Sequence, residues 1–214
     1  MKIGILGTGD VGKALAAGFL AKGDEVKMGS REAGNPKLLA WVRQAGAKAS
    51  GGTFAEVAGW ADLVVLATLW SGTENALRMA GPDRLKGKVV MDATNPLVFT
   101  PNQPPVLAIG HTDSGGEQVQ RWLPGAHVVK VYNSVGNAHM VHPKFQGGPP
   151  DMFICGNDAA AKKTVSEICA AFGWPTIDCG GIEASRLLEP LCILWVAYGL
   201  RTGTWNHAFK LLKQ

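Results

Sequence analysis

The stretch KIGILGTGDVGKALAAGFLA, Lys2–Ala21, decides the fold. A short apolar run ends in glycine, and a helical pattern follows that places Leu15, Phe19 and Leu20 on one face. Two phosphate-binding patterns overlap at the junction. Gly7, Gly9 and Gly12 spell G-x-G-x-x-G, the dinucleotide fingerprint, while Gly7, Gly12 and Lys13 spell most of a P-loop. A P-loop needs a hydroxyl after its lysine to ligate magnesium, and here that position is Ala14. Asp92, at the end of "VVMD", imitates a Walker B aspartate, but apolar strands ending in aspartate are common in any α/β sheet. The dinucleotide reading therefore prevails. Gly7 permits the tight turn, Gly9 lets backbone approach a diphosphate, and Gly12 lets helix pack on strand, with the anion resting at the helix N-terminus.

Working outward, strands alternate with helices. "EVKMG", "AKAS", "DLVVLAT", "KVVMDAT", "HVVKVY", "DMFICG" and "PTIDCG" read as further strands. Helices are expected over "NPKLLAWVRQAGA", capped by Asn35 with Pro36 at its first position, and over "FAEVAGWA", residues 72–80, "GEQVQRWLP" and residues 158–172. Residues 183–212 read as mostly helical, interrupted near Glu189–Pro190, where the proline should kink or break the helix because it removes a helical hydrogen bond. "VFTPNQPP", "GHTDSGG" and "FQGGPPD" read as loops. The pattern predicts an α/β fold: a doubly wound, mostly parallel sheet of the NAD(P)-binding Rossmann type with a small C-terminal helical cap. The expected division is residues 1–135 for nucleotide binding and 136–214 for a cap and dimer segment packed onto it as one compact unit.

Bulk properties narrow the class. The 214 residues are 46% hydrophobic and 18% charged, with a net charge of +4. That suits a globular core. No apolar run reaches the roughly 20 residues a bilayer span needs, and no signal peptide is visible, so a cytoplasmic location is expected. The cations are scattered, which argues against nucleic acid as a partner. Cys155, Cys169, Cys179 and Cys192 are far apart without a C-x-x-C, the pattern of buried thiols, not of zinc or disulfides.

The end of the second strand, "MGSRE", selects the dinucleotide. NAD sites place an acid there for the ribose hydroxyls. Here Ser30 offers a hydroxyl and Arg31 a forked cation, suited to the 2′-phosphate of NADP, with Lys37 adding charge from the next helix. Glu32 is the competing ribose ligand. Short-chain dehydrogenase chemistry needs Tyr-x-x-x-Lys, but Gly136 and Thr202 stand four residues after Tyr132 and Tyr198. Too little chain follows the sixth strand for the large helical substrate domain of the hydroxyacid dehydrogenases. A site without an obvious proton relay suits hydride transfer between two stacked rings.

Together "ILGTGDVGKALA", "VKMGSRE", "VLATLW", "DATNPL", "KVYNS" and "CGNDAAAKKTV…IDCGGIEASRLLEPL" resemble the deazaflavin (coenzyme F420)-dependent NADP oxidoreductase family over nearly the whole chain. The N-terminal part also resembles the cytosolic domain of the STEAP metalloreductases. The resemblance implies that NADP(H) lies along Thr8, Gly9, Asp10 and Val11, with its 2′-phosphate at Ser30 and Arg31. Thr68, Leu69 and Trp70 would follow the cofactor, Asn95 and Pro96 would flank the nicotinamide, and Asn133, Ser134 and Val135 would back the second ring. It implies a deazaflavin or flavin as second substrate. "YNSVGNAH" and "VFTPNQPP" depart from the archaeal pattern, where the acceptor would touch.

Other residues carry weaker readings. His139 and His142, three apart, are expected to be ordinary histidines without a metal; His139 is the one candidate proton donor. Trp70 is open between core packing and cofactor contact. The Leu187–Tyr198 stripe suits a homodimer seam, and Arg186 is expected to pair with a carboxylate. An NADPH-dependent reductase of a small imine, ketone or ferric chelate, and a non-catalytic NADPH sensor, remain alternatives.

Overall fold

A computed structural model describes residues 1–101 and 103–214; Asn102, within the expected "VFTPNQPP" loop, lies outside the described residues. The chain runs β1 (Lys2–Leu6), α1 (Asp10–Ala21), β2 (Glu25–Ser30), α2 (Pro36–Ala45), β3 (Ala49–Thr53), α3 (Phe54–Trp60), β4 (Leu63–Leu66), α4 (Trp70–Ala80) and β5 (Val89–Asp92). A small ribbon, β6 (Leu97–Val98) and β7 (Val106–Leu107), precedes α5 (Gly115–Trp122) and β8 (His127–Lys130). Then come β9 (Met152–Gly156), α6 (Ala159–Ala171), β10 (Thr176–Asp178) and α7 (Ser185–Thr202).

Eight strands form one sheet in the order β10-β9-β8-β5-β4-β1-β2-β3. Every pair is parallel except β8 with β9. The order reverses direction between β1 and β4, the switch point where ligands of open α/β sheets bind. Register aligns the strand ends: Gly29, Leu6, Leu66, Asp92 and Lys130 form one row across five strands. Loops leaving that row therefore share one rim.

Both faces are covered. Ile3, Ile5, Val65, Met91 and Val129 pack with Leu15 and Phe19 of α1 and Val165 and Ile168 of α6, while Leu6, Val64, Leu66, Val90 and Val128 pack with α3, α4 and α5. Alternate residues of β1, β4, β5 and β8 supply the two layers, which is why these strands read as unbroken apolar runs.

Three details differ from the sequence reading. The segment after Leu97 includes the ribbon, antiparallel and two residues a side, too short for any periodicity. Helix α7 does not break at Glu189–Pro190; it runs unbroken from Ser185 to Thr202. Leu188 and Glu189 before the proline and Cys192 and Trp195 after it are buried, while Pro190 faces solvent. Tertiary anchoring here outweighs the one lost hydrogen bond. The helix also ends earlier than expected. Gly203 adopts the left-handed C-terminal conformation (φ 69°) and residues 204–212 double back without helix. Trp205 and His207 then stack on Trp195 at 5.2 and 4.8 Å, and Trp195 Nε1 donates to the His207 carbonyl at 2.8 Å.

Candidate functional site

The glycine loop leaves β1 on the rim. Gly7 has φ 125°, and a Cβ there would lie 2.3 Å from the Ala67 carbonyl oxygen, so only glycine fits. A Cβ on Gly12 would lie 2.9 Å from the Gly7 carbonyl oxygen and 3.0 Å from Ile5. Gly9 is different: nothing lies within 4 Å of the Cβ position, and its backbone is extended. Gly9 is also the N-cap of α1 and brings no side chain to the free N–H groups of the first turn. By contrast, α2 is capped by Asn35, whose Oδ1 accepts from Lys37 N and Leu38 N at 3.0 and 3.3 Å. The α1 terminus thus presents unused donors and a partial positive charge to open space, a fit for a diphosphate. Thr8 is half-buried, Asp10 exposed and Val11 half-buried along the same loop.

Gly29 and Ser30 end β2 beside this loop, and Gly7 N donates to the Gly29 carbonyl at 3.2 Å. Ser30 is buried, with its hydroxyl donating to the Glu32 carbonyl. Arg31 and Lys37 are exposed, and neither has an ion-pair partner among the described residues. Two unpaired cations beside a buried hydroxyl fit a phosphate monoester.

At the other end of the rim, Thr68 Oγ1 lies 2.8 Å from Thr73 Oγ1, and Leu69 is 77% exposed. Trp70 opens α4 and stacks on Trp122 of α5, with centroids 5.6 Å apart and planes at 28°. Asn95 and Asn133 are joined twice: Asn95 Nδ2 donates to the Asn133 carbonyl at 2.8 Å, and Asn133 Nδ2 to Asn95 Oδ1 at 3.2 Å. Pro96, Ser134 and Val135 are buried around them. Tyr132, just before this pair, takes a left-handed backbone (φ 58°) and donates its N–H to Met152 Sδ at 3.2 Å. For a bulky residue that conformation is strained, and it aims the following asparagine.

Beneath the asparagines lies a cluster that sequence reading missed. Lys130 Nζ reaches Asp92 Oδ2 at 2.7 Å, Glu189 Oε1 at 3.0 Å and the Thr94 carbonyl at 2.9 Å. Lys130 and Asp92 are fully buried and Glu189 is 1% exposed. Burial alone would push the Lys130 ammonium down, but Asp92 and Glu189 outweigh it and hold the group above its ordinary value. Asp92 Oδ1 accepts from Thr94 N and Oγ1, and Glu189 accepts from Gly115 N and Gly116 N, the first turn of α5. The available signal was chemical: a lone charge in each of three apolar stretches, "VVKVY", "VVMD" and "LLEPLC".

The remaining candidates make other contacts. His139 Nε2 lies 3.0 Å from Asn206 Oδ1 and its ring rests on Phe145, while His142 adopts a left-handed backbone (φ 50°). Arg186 pairs with Glu117, Nε to Oε2 at 2.8 Å. Cys155, Cys169 and Cys192 are buried, which pushes their thiols up to about 12; Cys179 is half-buried. A cleft of about 840 Å³ opens between the β6–β7 ribbon and the start of α7, bordered by Leu107, His111, Cys179, Arg186 and Pro190.

Comparison with known proteins points the same way. Residues 2–96 match the family described as NADP oxidoreductase, coenzyme F420-dependent. The F420-dependent NADP reductase of Methanocaldococcus jannaschii is 31% identical over 94% of this chain and 93% of its own length. Metalloreductase STEAP3 of Rattus norvegicus is 31% identical over 89% of this chain, which spans only 36% of that protein. The crystal structure of an Arthrobacter sp. FB24 protein, provisionally assigned as an F420-dependent NADP-reductase, superposes with a TM-score of 0.93 at 38% identity, covering all of both chains. With a relative this similar from end to end, the chain belongs to the coenzyme F420-dependent NADP oxidoreductase family.

Proposed function

We propose that this chain is an NADP(H)-dependent oxidoreductase that moves hydride between NADP(H) and a flat redox cofactor, a deazaflavin of the F420 type. The observation that carries the reading is the contrast among the three glycines. Gly7 and Gly12 are required by close packing, whereas Gly9 faces open space above an uncapped helix terminus. Thr8, Gly9, Asp10 and Val11 would hold the diphosphate, and Ser30, Arg31 and Lys37 the 2′-phosphate. Thr68, Leu69 and Trp70 would lie along the dinucleotide, with the back of Trp70 already fixed by Trp122. Asn95, Pro96, Asn133, Ser134 and Val135 would shape the ring site. The nicotinamide and deazaflavin supply the hydride chemistry themselves. The protein's part is to keep both rings in one orientation and to hold the asparagine amides still.

The half-exposed apolar stripe of α7, with Leu187 71%, Leu194 57% and Tyr198 43% exposed, supports pairing of two copies through this helix. The test of function is anaerobic mixing of protein, NADPH and F420, read by loss of deazaflavin absorbance. FMN, FAD and a ferric chelate replace F420 in parallel reactions. Turnover with F420 at least tenfold above the others is expected; binding of NADPH without turnover on any acceptor would favour a sensor and overturn the proposal.

A further inference from the structure

We propose that the buried Lys130–Asp92–Glu189 cluster is an electrostatic positioning element that favours the oxidised, cationic nicotinamide over the reduced, neutral one. This rests on the reading above that the nicotinamide lies against Asn95 and Asn133.

Hydrogen bonding fixes the charges. The Lys130 ammonium donates to the Thr94 carbonyl at 2.9 Å and is ion-paired with Asp92 Oδ2 at 2.7 Å and Glu189 Oε1 at 3.0 Å. Three of the four carboxylate oxygens accept hydrogen bonds, and the fourth, Asp92 Oδ2, faces the ammonium as an ion pair. Asp92 Oδ1 accepts from Thr94 N and Oγ1 at 2.9 and 2.7 Å; Glu189 Oε2 and Oε1 accept from Gly115 N and Gly116 N, both at 2.9 Å. A carboxylic O–H at any of these oxygens would oppose a donor, so both groups stay ionised. Two anions then share one cation. The N-terminus of α5 offsets part of the excess at Glu189, since a helix end carries only about half a charge.

Placement couples this excess to the ring site. Asp92 and Lys130 are register partners at the ends of β5 and β8. Thr94, bound to both, is followed by Asn95. Asn133 Nδ2 donates to the Leu188 carbonyl at 2.7 Å, and Leu188 is followed by Glu189. The cluster is therefore the layer directly under the asparagine pair, closed to water and weakly screened by salt. When a dihydronicotinamide gives up hydride, with its electron pair, to the acceptor, its neutral ring becomes a pyridinium cation. An anionic layer nearby binds that cation better than the neutral ring, so the bound pair is biased toward hydride donation.

The experiment measures Kd for NADP⁺ and NADPH separately by calorimetry in wild type, Glu189→Gln and Glu189→Asp, with 2′-phospho-ADP-ribose as a ligand lacking nicotinamide. Removing the charge is expected to raise the ratio Kd(NADP⁺)/Kd(NADPH) about fivefold, the scale of one charge in a partly shielded interior. Glu189→Asp keeps the charge and should keep the wild-type ratio even if it lowers stability, and 2′-phospho-ADP-ribose should bind all three proteins alike. A folded Glu189→Gln with an unchanged ratio overturns the proposal while leaving the functional reading intact. So does a loss of 2′-phospho-ADP-ribose affinity equal to the loss for NADP⁺. Wild type that binds neither nucleotide fails the functional reading itself. If Glu189→Gln does not fold by circular dichroism, Asp92→Asn takes its place with the same expectation. If neither folds, wild type decides: NADP⁺ should bind no more weakly than NADPH, and NADPH binding more than tenfold tighter overturns the proposal.

Discussion

Replacing Lys130 with methionine isolates the energetic role of the buried cluster. Methionine fills a similar volume, so the change removes charge and hydrogen bonds more than packing. It strands Asp92 and Glu189 without their shared cation in a site that excludes water. Breaking a buried ion pair from one side costs about 3–5 kcal/mol. For a chain of 214 residues, each kcal/mol is worth roughly 2–4 °C, so Tm should fall by about 6–20 °C. Urea unfolding followed by tryptophan fluorescence reports the change directly, since Trp174 and Trp195 are buried. The pH dependence separates this cause from simple misfit. Burial would lower the Lys130 pKa, but Asp92 and Glu189 raise it above the ordinary 10.5. A raised folded value gives stability that is complete below the unfolded lysine value of about 10.4 and is lost as pH climbs through the folded one. Wild type should therefore show an alkaline unfolding limb above about pH 10.5 that Lys130→Met lacks. A loss below about 1 kcal/mol at neutral pH with an unchanged denaturant slope would refute the view that this cluster ties β5, β8 and α7 together.

Four further outcomes are expected. Arg31→Ala should weaken NADPH binding by about 1.5–3 kcal/mol, the scale for a hydrogen bond to a charged group, and leave NADH unchanged; calorimetry with both nucleotides checks it, and equal losses would remove the 2′-phosphate assignment. Gly9→Ser should leave thermal stability unchanged or raise it by a few tenths of a kcal/mol, because serine caps a helix as well as glycine does, yet NADPH affinity should drop at least tenfold as the hydroxyl takes the donors meant for a ligand. Asp113 is held down at about 2 chiefly by its hydrogen bonds from Arg121, against a smaller opposing effect of burial. Its contribution is present above the unfolded value near 3.9 and lost as pH falls through about 2, so Asp113→Asn should flatten the acid limb of stability between about pH 4 and 2, by no more than about 1 kcal/mol for a partly exposed pair. Leu187→Glu combined with Leu194→Glu should convert a dimer to monomer in sedimentation without loss of melting temperature.

The body of the sheet was legible because β1, β2, β4, β5, β8 and β9 are largely buried on both faces, so a short apolar run between turn signals was enough to find them. The antiparallel direction of β9 was not legible, since side-chain pattern is the same whichever way a strand runs. The glycine loop was legible because backbone constraints are written directly as glycine. Pro190 misled because local propensity argues for a break, while Leu188 and Glu189 beside it are held by Asn133 and by Gly115 and Gly116, far away in sequence. The same distance hid the ionic cluster: Gly115 and Glu189 are 74 residues apart, and nothing local marks either as the other's partner. Trp70 stayed open for a related reason, because its stacking partner Trp122 lies on another helix.

The fingerprint glycines are held in place by different selective forces. Gly7 and Gly12 are crowded by Ala67, by Ile5 and by one another, so any side chain at either damages the folded chain whether or not it has a ligand. Gly9 is surrounded by emptiness, and the polypeptide alone would accept almost any residue there. A descendant that gave up its nucleotide would keep the first and third glycines and let the second drift. Within this lineage, the middle letter of G-x-G-x-x-G is thus a marker of retained ligand use, and the outer two merely record ancestry.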